Sequence, residues 1–238
     1  MKLVTNIFGS SLGKKYVMAI TGLVMFGFVI GHLIGNLQFF LGPEAINRYG
    51  HFLQSNVEVL WPVRIFLLAM IGLHIWSATK LSAENRAARP TPYANWNPTA
   101  ATYASRTMLM SGLIVFAFII FHLLHYTVMV KAVNLTGKDF MARPEFFDLE
   151  GRHDIFRMMV TGFSQPIVSV FYVIAIGLLS LHLSHGVSAM FSSLGLKNHT
   201  YEPCIKKFAR VIAWLIFLGY ISIPISVMCG YGAKAVNP

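Results

Sequence analysis

Charge is what this sequence has least of. Only 12% of its 238 residues are Asp, Glu, Lys or Arg, roughly half the share of an ordinary soluble domain, and long stretches carry none. That excludes a water-soluble enzyme, which needs a solvated surface, and an intrinsically disordered chain, which combines high charge with little apolar content. Cysteine is almost missing: Cys204 and Cys229 alone cannot staple a small secreted domain or build a zinc site. Acids are scarce as well, nine against 19 Lys and Arg, for a net charge of +10. A nucleic-acid surface would interleave such bases through a soluble fold; here they sit between apolar segments, so nucleic acid is not the expected partner.

What is abundant is apolar sequence, 55% of the chain. A helix needs about 20 mostly apolar residues to cross a hydrocarbon core, and five segments qualify: 16–41, 61–81, 106–130, 166–194 and 208–231. The expected fold class is an all-α membrane protein, five transmembrane helices in a bundle, with residues 1–238 as a single domain. Pro62 and Pro166 suit first-turn positions, Ser164 is a candidate cap before the latter, and Pro224 lies inside the fifth span, where a membrane helix tolerates it. The first span is too long for a signal peptide and lacks a small-residue cleavage site. The N-terminus, the loop after the second span and the loop after the fourth hold eleven Lys and Arg against Glu84 and Glu202; the opposite side holds eight bases and seven acids. By the positive-inside bias the first side is cytoplasmic and the C-terminus lies outside. The Pro-rich stretch 89–98 then reads as an ordered cytoplasmic loop.

Six of the nine histidines fall inside the spans: His32, His74, His122, His125, His182 and His185. Ionisable side chains in hydrocarbon are costly and by default mark function. The bland alternative, a hydrogen bond to a neighbouring helix, accounts for one such residue more easily than for six on four helices. No Asp or Glu accompanies them in the spans, which argues against a carboxylate proton relay. Neutral imidazoles without carboxylates suit haem iron or a transition metal. Depth sorts them: at about 1.5 Å per residue, His32 and His122 lie about 12 and 14 Å from the outer end of their spans, His74 and His182 about 18 and 24 Å. Pairing by level gives His32 with His122 and His74 with His182, hence two stacked bis-histidine haems. No CxxCH run exists to attach haem covalently, so both are of b type. His125 and His185 remain as spares, suited to a propionate, a ring edge or a backbone carbonyl; a dinuclear metal site on the two HxxH pairs is the less favoured use. Gly31 beside His32 and Gly72 near His74 fit either close helix packing or room for a flat macrocycle.

These features resemble the five-helix, di-haem cytochrome b subunit of succinate:quinone oxidoreductases and quinol:fumarate reductases. The likeness covers essentially the whole chain and is carried by GHLIGN at 31–36, the His74 span with its basic loop, SG…FHLLHY from Ser111 to Tyr126, and LHLSHG…LG from Leu181 to Gly195. The spacings from Gly112 to His122 and from His182 to Gly195 look like the family's third and fourth ligand helices. The resemblance implies axial ligands His32, His74, His122 and His182. It further implies an FAD-containing flavoprotein subunit carrying the dicarboxylate site, an iron–sulfur subunit, and a quinone, menaquinone in kind, as the membrane substrate in a bacterial inner membrane. The enzyme activity belongs to that complex; no catalytic residue for the dicarboxylate is expected on this chain. Glu58, Gln54 and His51, in the outer loop before the second span, are the candidates for quinone contact. Where some fumarate-reducing relatives carry an acid, two residues before the fourth ligand, this chain has Ser180. Arg86, Arg89 and Lys206 are the candidates for the interface with the soluble subunits. The alternatives are the cytochrome b subunit of a hydrogenase, formate dehydrogenase or nitrate reductase, and a histidine-based metal transporter.

Overall fold

The computed structural model of the chain describes residues 7–88 and 103–236. Arg89 and the Pro-rich stretch 89–98 lie outside the described residues. Seven helices longer than one turn carry the fold: α1 (Ser11–Leu37), α2 (Pro43–Ser55), α3 (Val57–Ala87), α4 (Met108–Tyr126), α5 (Ile155–Phe163), α6 (Pro166–Ser193) and α7 (Glu202–Met228). Among the described residues there is no strand, only an isolated bridge between Phe147 and His153. α1 with the turn Gln38–Leu41, α3, α4, α6 and α7 are each long and apolar enough to cross a membrane. Their exposed side chains include Leu12, Ile34, Ile65, Ile167 and Trp214, as lipid contact requires and water would penalise. The protein is a multi-pass membrane protein.

Three expectations about helix ends change. Pro62 is inside α3, not in its first turn. The Asn56 carbonyl accepts from Val59 and Leu60 and starts the helix earlier, and the bond that Pro62 cannot donate would have gone to the carbonyl of Glu58, an exposed first-turn residue. Ser164 ends α5 rather than capping α6; its hydroxyl donates back to the Thr161 carbonyl at 2.7 Å. α4 stops at Tyr126 although the apolar run continues to Val130: the Val128 and Val130 amides turn back onto the Leu123 and Leu124 carbonyls, and Met129 takes a left-handed φ of 58°. No Gly or Pro marks that stop. What occupies Met129 instead is a packed cluster with Phe140, Phe146 and Met158.

Packing divides the chain into two compact units. The first comprises Met1–Val29, Pro62–Gly112 and Leu181–Ala213, the second Ile30–Trp61, Leu113–Ser180 and Trp214–Pro238. Each membrane-crossing helix contributes residues to both. The first unit buries small and polar side chains, Ala19, Thr21, Ser77, Ser111, Ala209 and Ala213, beside Leu81, Val187 and Met190, and the buried ammonium of Lys14 is paired with Glu84. Small residues let membrane helices approach closely, which is where van der Waals packing is gained when lipid and side chain are equally apolar.

The second unit is aromatic. Phe39, Phe118, Phe156, Phe163 and Tyr172 pack with Met159, Val168 and Ile223 in one cluster. Residues 131–165, polar enough to read as an outer loop, are folded. Asp154 caps α5 by accepting from the Arg157 amide at 2.9 Å. Buried Asn47 of α2 joins the two helices: its amide donates to Asp154 and its oxygen accepts from the Phe156 amide, both at 3.0 Å. Arg152 grips Glu44 at 3.1 and 2.6 Å and Asp148 at 2.7 Å. A Cβ at Gly35 would stand 2.8 Å from the Tyr49 ring, so glycine there leaves that ring its place between α1 and α2.

Candidate functional site

The four histidines matched by depth form two pairs, one in each unit. In the first unit the His74 and His182 ring centres are 6.5 Å apart with planes at 62°. In the second, His32 and His122 are 5.8 Å apart with planes at 81°. Two imidazoles on opposite sides of one metal, with metal–nitrogen bonds of about 2 Å, have ring centres about 6 Å apart. Both spacings match that distance, and both are also ordinary edge-to-face ring contacts. Among the described residues no three His, Cys, Asp or Glu side chains gather round one point.

The Nδ1 atoms decide what the rings can do. His74 Nδ1 lies 3.2 Å from the Met18 carbonyl oxygen, and a carbonyl only accepts, so Nδ1 carries the proton. The Thr21 hydroxyl, 3.2 Å from the same nitrogen, sends its hydrogen to the Val17 carbonyl at 2.7 Å and faces His74 as an acceptor. His182 Nδ1 is 3.2 Å from Ser111 Oγ, whose hydrogen goes to the Met108 carbonyl at 3.1 Å. At His74 the carbonyl leaves Nε2 as a bare lone pair; at His182 the same state goes with the Ser111 hydrogen on the Met108 carbonyl. A metal-bound imidazole needs this state, held by the oxygen partner that orients ligating histidines.

Both contacts use the same two-residue device. Thr21 and Ser111 are each followed by a glycine, and a Cβ on Gly22 would stand 3.4 Å from His74 Cε1, on Gly112 3.3 Å from His182 Cε1. The hydroxyl orients the ring and the glycine leaves the ring its place. Gly31 and Gly72, singled out from sequence for closeness to histidine, have nothing within 4 Å of where their Cβ would be.

The second unit solves the same problem with a phenol. His122 Nδ1 lies 3.3 Å and His125 Nδ1 3.1 Å from the Tyr172 hydroxyl. His125 is buried and stacked on Tyr126, ring centres 3.9 Å apart. His185 is half-buried, one turn beyond His182 on α6. His51 and Gln54 on α2 and Glu58 in the first turn of α3 are all exposed. Arg86 is exposed at the end of α3, and Lys206 is held by Glu202 at 2.8 Å, which Lys197 also reaches at 3.0 Å. Sequence reasoning missed Thr21, Met18 and Tyr172. A repeated hydroxyl–glycine pair, 21–22 and 111–112, was a readable signal; a carbonyl and a distant tyrosine gave none.

No family model, curated protein or solved structure matches the chain.

Proposed function

We propose that the chain is the membrane-anchor cytochrome b subunit of a succinate dehydrogenase or fumarate reductase, relaying electrons between an iron–sulfur subunit and menaquinone through two b haems. The observation that carries this reading is the pair of two-imidazole centres, His74–His182 and His32–His122, at 6.5 and 5.8 Å. The donor chemistry fits haem iron: two neutral imidazoles from different helices and no carboxylate or thiolate among them. When bound, haem supplies one-electron redox chemistry between its ferrous and ferric states.

The chain's own work is to bind and to orient. Thr21, Met18, Ser111 and Tyr172 hold Nδ1 of three of the ligands, which aims Nε2 and raises its basicity. The exposed apolar helix surfaces keep water and other donors away from the centres. In this reading the N-terminus is cytoplasmic, in a bacterial inner membrane. Arg86, Arg89 and Lys206 then face the iron–sulfur subunit and its flavoprotein partner, where complementary charge orients the encounter. His51, Gln54 and Glu58 offer the quinone polar groups on the opposite side.

The test is a dithionite-reduced optical spectrum of the purified chain with haem quantified per polypeptide, followed by identification of co-purifying subunits. Two non-covalent b haems with an FAD protein and an iron–sulfur protein are expected. A single haem or none refutes the reading, and two haems with a hydrogenase, formate dehydrogenase or nitrate reductase subunit reassign the partner.

A further inference from the structure

A cleft of about 660 Å³ opens beside the point where the first membrane-crossing run ends. Its lining comes from two short pieces of the second unit: Gln38 and Leu41 of the turn after α1, and Glu44, Arg48, Tyr49 and Phe52 of α2. Residues four apart share one face of a helix, so Glu44, Arg48 and Phe52 form one stripe. Buried Ile46, Asn47 and Gly50 hold another face of α2 against the fold. The apolar run stops at Leu41 and charge returns at Glu44. That level is the boundary between hydrocarbon and headgroups, where tyrosine is enriched.

The lining says what kind of guest it takes. Leu41 and Phe52 are exposed, at a cost in water that contact with an acyl chain removes. Glu44 and Arg48 carry opposite charges one helical turn apart, the spacing at which such residues pair, and they do not pair. Glu44 turns instead to Arg152, whose guanidinium bonds both its oxygens at 3.1 and 2.6 Å. The Arg152 hydrogen bond, and more weakly the Arg48 charge acting through space, hold the Glu44 carboxyl below its ordinary range. A carboxylate has about four lone-pair sites, so Glu44 can still accept. One cleft thus holds an anion and a cation that do not neutralise each other. A purely anionic headgroup would satisfy Arg48 and be repelled by Glu44, and a neutral quinone ring would use neither charge.

We propose that this cleft binds one zwitterionic phospholipid of the phosphatidylethanolamine type, its phosphate on Arg48, its ammonium on Glu44 and its acyl chains along Leu41 and Phe52. Gln38 offers its amide to the ester carbonyls. Because Glu44 is also gripped by Arg152, the bound lipid ties both α2 and the folded segment 131–165 to the bilayer surface. The site rests on the membrane-crossing fold and is independent of the di-haem reading.

Native mass spectrometry of the full chain in detergent tests this, with phosphatidylethanolamine or phosphatidylcholine of identical acyl chains added in steps. The two lipids share the phosphate, and only the ethanolamine ammonium has hydrogens to donate, so the comparison alters no residue of the protein. The wild type should hold one phosphatidylethanolamine about tenfold more tightly than phosphatidylcholine, as the loss of a charge-assisted hydrogen bond requires. Arg48→Gln, a change at an exposed residue, should abolish the tight site. Lys138→Gln, which removes a positive charge elsewhere in the second unit, should keep it. Equal affinity for the two lipids in the wild type, or the same binding in the wild type and Arg48→Gln, overturns the proposal. Arg48-dependent binding of phosphatidylglycerol in preference to phosphatidylethanolamine, or of inorganic phosphate or menaquinone with no phospholipid held, overturns it as well.

Discussion

The two units hold the same kind of histidine pair by different means. In the first, the interior mixes small, polar and aliphatic side chains, and each imidazole leans on an oxygen supplied locally by one helix, a backbone carbonyl with Thr21 or the hydroxyl of Ser111. In the second, the interior is aromatic, and one phenol, Tyr172, serves two histidines at once. The first arrangement is short-range and redundant at His74. The second extends into a chain of groups that depends on the folded segment 131–165 to bury it. One kind of histidine pair therefore tolerates two kinds of support at Nδ1.

The comparison breaks most severely at the ligands. His182→Ala should remove one haem of the expected two and His122→Ala the other, because a b haem has no covalent attachment to fall back on. His125→Ala and His185→Ala should keep both. Pyridine-haemochrome counts on the four variants check this, and loss of a haem in His125→Ala with retention in His122→Ala would reverse the roles.

Asn47→Ala attacks only the second unit. It strips the Phe156 amide and Asp154 of a buried partner, at a cost of about 2 kcal/mol. Hydrogen exchange in 131–165 should rise while the first unit's stretches 62–87 and 181–193 stay protected; uniform exchange throughout would show that the units do not respond separately.

Inside the first unit, Ser111→Ala and Thr21→Val separate a lone support from a redundant one. His182 loses its Nδ1 acceptor in the former, whereas His74 keeps the Met18 carbonyl in the latter. Ser111→Ala should weaken haem retention about tenfold and raise the midpoint potential, since a less basic imidazole favours the ferric state less. Thr21→Val should do little. Equal effects would mean that the carbonyl contributes nothing to His74.

The smallest expected effect is that of acid on the segment around Arg152. A side-chain hydrogen bond from Arg152 holds Glu44 below its ordinary range. For Asp148, burial works the other way but is outweighed by Arg152, and its carboxyl is held low too. Carboxyls with lowered folded-state values contribute fully above about pH 4 and lose that contribution as pH falls through the folded values. Protease sensitivity of 131–165 should therefore rise below about pH 4 and be unchanged between pH 5 and 8. Arg152→Met should remove the dependence.

Membrane insertion, the number of spans and the four histidines were legible in the residues, because apolar length and intramembrane imidazoles are local properties that one chain displays without its fold. Pairing by level was legible too, since a helix advances by a constant rise per residue. The ends of the helices were not: α3 begins before Pro62 and α4 ends at Tyr126 through a turn that no Gly or Pro announces. Helices α2 and α5 were hidden because both are short and partly polar, and their stability comes from Asn47, Asp154 and the aromatic cluster rather than from an apolar run. The partners of Nδ1 depend on which helix faces which, and Tyr172 is 50 residues from His122. Residue type and spacing determined that this protein crosses a membrane with histidines in its spans; only three-dimensional packing decided which atoms stand beside each ring, because a distant part of the chain supplies them.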